Sequence, residues 1–441
     1  MLMKEKLSNL GFRKSFSKNK IFQNSSLLVI DSFLNSGFGF LFWIITTNYY
    51  PISIVGLSAA IFGVTSFIAA ISGCIQLSTG LGIFISTDRE NDYYPKLFFS
   101  VFVFSSIFSI VMGIISIILI LFLSLEMSSI FTIPFYIFLF LVIIFSFMTY
   151  QICYGYLFAM RNSMVPHVFF NLIGNVTKIL IIFILAYSQS LSAVLISFSS
   201  YNVVWIACFA IFSIRISLFK KEDIKLFDIN GIRILLKFSV WIYFAYILFS
   251  LPGYLSTVIA LEKIGLEASA YFQVAWLLNG LLNILPYGVG TSMLMNDRGK
   301  VMPFLRYMKI IFIIWLFVIP TIIFLYLFSP LIFQFFGREF SLQSSSVLFW
   351  LNVSVIPLTI IAITNSLIQL KKKIHYQVFV SCLSAVIWIS LIDPMISLYN
   401  LDGLAISILV SYTLTAILSL SILFLQSSRE PSSLKTESDL P

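Results

Sequence analysis

Apolar stretches of about 20 residues or more recur along the whole chain, and they constrain its fold more than any other feature. A helix of that length spans a bilayer and satisfies its own backbone hydrogen bonds there. The alternation typical of transmembrane strands is absent, and 59% hydrophobic against 10% charged residues excludes a soluble protein. The sequence predicts an all-α polytopic membrane protein of about twelve transmembrane helices, spans 1–12, at 24–47, 57–85, 97–123, 133–158, 164–187, 192–214, 238–260, 268–294, 305–328, 342–369, 374–397 and 403–425.

The basic residues are distributed unevenly among the connections between these spans. If the N-terminus is cytoplasmic, all of the 27 Lys and Arg residues lie on the cytoplasmic side except Lys263, Arg338 and Lys178. Lys263 and Arg338 lie in loops on the opposite side, and Lys178 lies inside span 5. The positive-inside rule therefore predicts a multi-pass protein of the cytoplasmic (inner) membrane with both termini in the cytoplasm. The net charge of +9 follows from this orientation, and nothing else indicates nucleic-acid binding.

The same pattern predicts two groups of six helices. The longest connection is cytoplasmic and amphipathic, which favours a short helix on the membrane surface. The predicted parts are a basic N-terminus (1–23), an N-terminal six-helix lobe (24–218), an interfacial connector (219–237), a C-terminal six-helix lobe (238–426) and a disordered cytoplasmic tail (427–441).

A weak internal repeat relates the two halves. Gly80 and Gly82 near the end of span 2 have the same spacing as Gly288 and Gly290 near the end of span 8. Helices interrupted at matching positions of two halves are typical of transporter cavities, although small residues also allow close helix packing. The candidate hinge residues are Gly280, Pro286, Gly288 and Gly290.

Only two charged residues lie clearly inside spans, Asp31 and Lys178. A charge at membrane depth is costly, so each is expected to face a wet cavity or a partner. Asn171, Asn175 and Lys178 form one stripe along span 5, which His167 extends by a turn. This stripe predicts either a path for an anionic headgroup or hydrogen bonds to neighbouring helices.

Span 1 carries a smaller version of the pattern, with Asp31 and Asn35 one turn apart. Two interpretations remain open. Asp31 either couples transport to an ion or forms a buried pair with Lys178 that fixes helix packing; the pair requires stagger or tilt, since Lys178 lies deeper in the membrane.

Other intramembrane amides include Gln273 and Asn283, which are candidate cavity residues or interhelical contacts. The two histidines, His167 and His375, lack metal-ligand spacing, so neither a metal nor another cofactor is expected. No phosphate loop, carboxylate pair or nucleophile motif is present, and every outward loop is short. The sequence therefore predicts a protein that is not an enzyme.

Local patterns at the helix boundaries resemble one family. The chain is similar to the polysaccharide (O-antigen, Wzx-type) flippases of the multidrug/oligosaccharidyl-lipid/polysaccharide exporter superfamily. The patterns are Tyr49–Pro51 with Val55–Leu57 before and in span 2, Gly155–Asn162 between spans 4 and 5, Leu236–Ser239 at span 7, Ala270–Ala275 in span 8, Phe336–Phe340 before span 10, and Asp402–Ser407 at span 12.

This resemblance implies a MATE-like architecture, with two six-helix lobes around a central cavity lined by spans 1, 2, 7 and 8. It implies alternating access, surface polysaccharide and lipopolysaccharide assembly, and a polyprenyl-pyrophosphate oligosaccharide as substrate. Membrane lipids and polysaccharide polymerase machinery are the other implied partners. Asp31 takes the family's ion-coupling position, while Lys178 and Arg161 would attract the diphosphate. The chain departs from the family at Ser256 and Thr257, where many relatives have an acidic–basic pair.

Two alternatives remain at this stage. A cation-coupled multidrug exporter would have the same architecture, but the internal Lys178 argues against it. A membrane glycosyl polymerase would have a long outward loop with functional residues, and the outward loops here are short.

Overall fold

A computed structural model describes residues 20–72, 93–159, 164–216, 228–296, 304–370 and 373–429, and every regular element in these ranges is a helix. The main helices of the first half are α1 (Lys20–Tyr49), α2 (Ile52–Ile71), α3 (Tyr93–Leu123), α4 (Pro134–Ala159), α5 (Met164–Ile184) and α6 (Leu191–Arg215). Those of the second half are α7 (Ile229–Lys263), α8 (Leu266–Asn296), α9 (Phe304–Gln334), α10 (Arg338–Val353), α11 (Val355–Leu370) and α12 (Ile374–Arg429). Short helical turns lie at Leu125–Ser128, Ile130–Thr132 and Leu185–Ser188.

The all-α polytopic fold class is confirmed. Among the described residues, 10 helical segments are long and apolar enough to cross a membrane. α1 is not one of the 10, and the segment Ile374–Phe424 combines two predicted spans. Inside that segment Asn400 has a left-handed φ of 53°, which breaks the helix between spans 11 and 12.

Span 10 is also interrupted. It consists of α10 and α11, which are separated at Ser354. Pro357 follows three residues later and lacks the N–H that would bond to the Val353 carbonyl, so the helical ladder is locally broken.

The two groups of helices pack mainly within themselves and meet mainly along four helices, with a smaller contact of α7 on α3. α2 contacts α7 and α8, and α1 contacts α8. We call the end that holds Tyr50, Pro51 and Gly265 the outer end, following the predicted topology. There the hydroxyl of Ser269 on α8 donates to the backbone carbonyl oxygens of Gly56 on α2, at 3.0 Å, and Thr257 on α7, at 2.9 Å.

The packing of α7 and α8 changes along their length. Their outer halves contribute buried residues such as Ala260 and Phe272 to the core shared by both lobes. Towards the inner end, Trp241 is 61% exposed and Tyr287 is 47% exposed. Contacts between the lobes nevertheless continue near this end, where the Tyr243 hydroxyl of α7 donates to the backbone carbonyl of Ala70 on α2.

The start of α7 differs from the predicted boundary. α7 begins at Ile229, capped by the Asp228 carboxylate, which accepts from the Gly231 N–H at 2.9 Å. Leu235 is buried in a cluster with Leu97 of α3 and other residues of the N-terminal lobe. Residues 217–227 lie outside the described ranges, so the membrane-surface connector stays a prediction. The same holds for the basic terminus up to residue 19, for the tail from residue 430, and for Gly80 and Gly82.

Candidate functional site: a polar cluster between α1, α5 and α6

The carboxylate of Asp31 is the centre of a buried hydrogen-bond cluster between α1 and α5. Its Oδ1 accepts from Asn171 Nδ2 at 2.5 Å. Its Oδ2 accepts from Asn35 Nδ2 at 3.2 Å and lies 3.2 Å from His167 Nε2. Asp31, His167 and Asn171 are each less than one-tenth exposed. Because α1 and α5 run side by side in the same direction, the polar stripes of the two helices face each other.

Asn175 continues the cluster one turn towards the outer end. Its Nδ2 donates to the Asn35 side-chain oxygen at 2.7 Å and to the Asn171 backbone carbonyl at 2.9 Å. The structure therefore brings Asp31, Asn35, Asn171 and Asn175 into one cluster. The cluster also contains His167, which the sequence placed on the polar stripe of α5.

Aromatic residues of α4 and α6 form the back of the cluster. The Tyr201 hydroxyl donates to the Asn171 side-chain oxygen at 2.6 Å. The ring centroids of Tyr154 and Trp205 lie 4.5 Å and 5.7 Å from that of His167, and the Tyr150 ring lies between Tyr201 and Trp205. Reasoning from sequence missed these residues. The helical spacing that identified the polar stripe of α5 would also have found them. Tyr150 and Tyr154 are one helical turn apart, and so are Tyr201 and Trp205.

Lys178 lies deeper along α5 and does not pair with Asp31. Its ammonium nitrogen lies 5.4 Å from the ring centroid of Phe42 and 5.5 Å from that of Tyr201. The residue is only 7% exposed, and no hydrogen bond or ion pair joins it to any part of the chain that the structure describes. Lys178 is therefore enclosed by aromatic rings in this conformation and does not face an open vestibule.

The amides of the C-terminal lobe belong to a separate cluster. Asn279 donates to the Leu351 carbonyl at 2.9 Å and to the Asn352 side-chain oxygen at 3.3 Å. Asn283 donates to the Asn279 side-chain oxygen at 2.9 Å, which makes it part of this α8–α10 contact. Gln273 is half-buried on α8. Asn279 was missed by the sequence reasoning.

The four hinge candidates lie on an α8 that stays helical throughout. A Cβ added to Gly280 or Gly288 would meet no atom within 4 Å, whereas at Gly290 it would lie 2.8 Å from Ser366 Oγ. Pro286 lies inside the helix and removes one backbone hydrogen bond.

The remaining candidate residues lie elsewhere. His375 lines a cleft between the inner ends of α7 and α12 with Trp241, Ile374 and Val378. Arg161 lies outside the described residues.

The fold is similar to those of several solved transporters. An inward-facing multidrug resistance MATE family transporter of the MOP superfamily is 17% identical over 89% of this chain and 94% of its own, with a TM-score of 0.68. The lipid II flippase MurJ, in an inward closed conformation, is 15% identical over 91% of this chain and 88% of its own, with a TM-score of 0.70. A MOP superfamily transporter from Pyrococcus furiosus is 14% identical over 93% of this chain and 96% of its own, with a TM-score of 0.58.

No family model and no curated protein matches the chain. At these identities the similarity concerns the fold alone, and the similar structures named here are those of transporters and a flippase.

Proposed function

We propose that this multi-pass membrane protein is a flippase that moves polyprenyl-pyrophosphate oligosaccharides across the cytoplasmic membrane for surface polysaccharide assembly. The observation that carries the proposal is the buried ammonium of Lys178, which has no carboxylate partner among the described residues. An anionic substrate headgroup would supply the missing counter-charge.

The energetics of Lys178 favour a role in binding. A lysine at membrane depth costs about 3 kcal/mol on insertion scales. Contacts of its ammonium with Phe42 and Tyr201 return about 0.5–2 kcal/mol each, so the site is roughly neutral without an anion. A methionine of similar length would fill the same space without the charge. The positive charge therefore adds little to the stability of the fold beyond what an apolar side chain of similar length would provide.

Access of the headgroup to Lys178 requires a movement, because the residue is enclosed in this conformation. Phe42 lies on α1, which contacts α8 across the boundary between the lobes. A change in the lobe contact can therefore be transmitted to the ring that covers Lys178. The proposed hinge positions on the other side of that boundary are Pro286, Gly280 and Gly288 of α8. Asp31 is the proposed ion-coupling residue.

The similar structures support this proposal in part. The name of the lipid II flippase MurJ gives a lipid-linked substrate, and the substrate proposed here is also lipid-linked. The basic connections predicted from the sequence support cytoplasmic termini and binding of substrate from the cytoplasmic leaflet.

A multidrug exporter is the second candidate, since structures of multidrug resistance MATE family transporters have the same fold. The uncompensated Lys178 favours the flippase, because a buried ammonium repels lipophilic cations and attracts phosphates.

The test is a flipping assay in proteoliposomes with a fluorescent polyprenyl-pyrophosphate oligosaccharide as the probe. We expect Lys178→Met to slow flipping about 30-fold, which corresponds to the loss of about 2 kcal/mol of interaction with a charged group. The melting temperature should not fall, because the substitution removes an uncompensated buried charge. Lys263→Met is the matched control, since Lys263 is half-exposed and pairs with Asp393 at 3.0 Å.

Two results would contradict the proposal. One is flipping by Lys178→Met at the wild-type rate. The other is efflux of a cationic dye such as ethidium by the wild-type protein without any flipping of the lipid-linked probe, which would establish the exporter instead.

A further inference from the structure

We propose that the cleft between the inner ends of α7 and α12 binds an anionic phospholipid of the surrounding membrane. Trp241 of α7 and Ile374, His375 and Val378 of α12 line this cleft, which has a volume of about 350 Å³. The occupant is a resident lipid with a phosphodiester headgroup, such as phosphatidylglycerol, and not the transported molecule. The proposal therefore does not depend on the proposed function.

The cleft lies at the depth of the lipid headgroups on the inner side. Trp241 is the fourth residue of predicted span 7, and His375 is the second residue of predicted span 11. The structure agrees with this depth, since α12 begins at Ile374. Tryptophan is enriched at the membrane–water boundary, where its ring contacts acyl chains and its N–H group contacts the polar layer.

The cleft also lies on a side of α7 that faces away from the N-terminal lobe. The Tyr243 hydroxyl donates to the backbone carbonyl of Ala70 on α2. Two residues in an α-helix are about 200° apart around its axis, so Trp241 points away from α2. Trp241 is 61% exposed, and Phe244, one turn deeper in the membrane, is 46% exposed. Lipid molecules therefore have direct access to the cleft.

The rim of the cleft carries positive charge. Lys373 directly precedes α12, is half-buried, and forms no ion pair within the described ranges. Arg233 is exposed on α7, eight residues before Trp241 and so about 12 Å nearer to the cytoplasm. The sequence adds Lys371 and Lys372 directly before Lys373. Basic pockets between membrane helices on the cytoplasmic side are typical sites for anionic headgroups.

The acidic residues of α7 and α12 do not offset this charge. Within these two helices they are Glu262, Asp393 and Asp402, and all three lie towards the outer end. Asp228, which precedes α7, lies about 20 Å from Trp241 along the helix and caps the first turn. An anionic headgroup at the rim would therefore meet cations without a competing carboxylate on either helix.

The size and the walls of the cleft favour a phospholipid over a lipid-linked oligosaccharide. Ligand sites usually measure about 300–1,000 Å³, and this cleft is at the lower end of that range. It accommodates a phosphate and a glycerol group but not several sugars. The exposed imidazole of His375 offers an N–H donor to phosphate oxygens. Val378 and the 56% exposed Phe379 continue the surface into the membrane, where acyl chains would lie.

The test measures quenching of tryptophan fluorescence by brominated phospholipids in vesicles that contain the full-length protein. Bromine atoms on the acyl chains quench the tryptophans that they contact. The chain has 7 tryptophans, so the contribution of Trp241 is the difference between the wild type and Trp241→Phe. We expect brominated phosphatidylglycerol to quench this contribution at a lower mole fraction than brominated phosphatidylcholine. The other tryptophans should be quenched equally in all variants, which shows that the fold is kept.

Substitution of the rim lysine tests the headgroup contact. Lys373→Gln should reduce the preference for phosphatidylglycerol about fivefold, the factor that one lysine near an anionic surface contributes. Lys309→Gln is the matched control and should keep the full preference. Lys309 is also an exposed cation near the inner end, but it lies on α9, which does not line the cleft.

Three results would overturn the proposal. The first is equal quenching of Trp241 by the two brominated lipids. The second is an equal loss of preference in Lys309→Gln and Lys373→Gln, because the effect would then come from the surface charge as a whole. The third is relief of the quenching by the unlabelled lipid-linked oligosaccharide at the mole fraction of phosphatidylglycerol, which would assign the cleft to the substrate. Absence of flipping in the same vesicles would contradict only the proposed function.

Discussion

The close contact between α2 and α8 at the outer end depends on Gly56, and substituting this residue gives the sharpest structural prediction. An ideal Cβ on Gly56 would overlap the carbonyl oxygen of Leu266, lie 2.8 Å from the carbonyl carbon of Leu266, and lie 3.3 Å from the Ala270 nitrogen. Carbon atoms in contact are normally about 3.5–4.0 Å apart. In a Gly56→Ala variant, α2 and α8 must therefore separate by roughly 1 Å, because the obstructing atoms belong to the backbone.

The magnitude follows from this overlap. Overpacking of a well-packed contact costs about 1–3 kcal/mol. The separation also weakens the hydrogen bond from Ser269 to the Gly56 carbonyl, which is worth about 0.6 kcal/mol in a membrane. A total of about 2 kcal/mol corresponds to about a 30-fold shift of the equilibrium away from the outer-closed conformation.

The assay is a distance measurement between spin labels on the outer loops of the two lobes. Tyr187 and Leu398 are suitable sites, since they are 99% and 68% exposed. We expect Gly56→Ala to populate longer distances between the labels. Gly39→Ala is the matched control, because a Cβ there meets only Leu277 Cδ1 at 3.6 Å across the same lobe boundary. A distance distribution unchanged from that of the wild type would refute the reasoning.

Three further predictions concern α8 and its ends. Asn279→Leu removes both hydrogen bonds of Asn279 to α10, so it should lower the melting temperature by an amount equivalent to about 1–2 kcal/mol. Asn230→Leu, on the exposed start of α7, is the control and should leave the melting temperature unchanged. Gly265→Ala should destabilise the α7–α8 turn by about 1–3 kcal/mol, because the φ of 135° at this residue disfavours side chains; unaltered thermal unfolding would contradict this. Pro286→Ala restores a helical hydrogen bond and should slow flipping without lowering the melting temperature; equal flipping rates would remove Pro286 from the hinge.

Much of the architecture could be predicted from the sequence because the signal for a membrane helix is local. An apolar stretch of sufficient length has to form a helix in lipid wherever its neighbours lie. The break at Asn400 lies between predicted spans 11 and 12 for the same reason. The interruption at Ser354 was missed, since a proline in a membrane helix indicates a possible kink without fixing its position.

The candidate site was predictable in part. Helical periodicity put His167, Asn171, Asn175 and Lys178 on one face of α5, and the hydrophobic environment required Asp31 to have a partner. The sequence left open whether that partner was Lys178. The register between α1 and α5 places Asp31 opposite His167 and Asn171, so the pair with Lys178 does not form.

The sequence by itself determined the helical membrane fold, the polar face of α5 and the residues that carry charge into the membrane. These properties depend on the order of residues along one helix and on the cost of exposing polar groups to lipid. Only the tertiary structure decided which side chains meet, because the register between neighbouring helices arises from packing over many residues distant in sequence. That packing surrounds Asp31 with nitrogen atoms and places Lys178 between two aromatic rings.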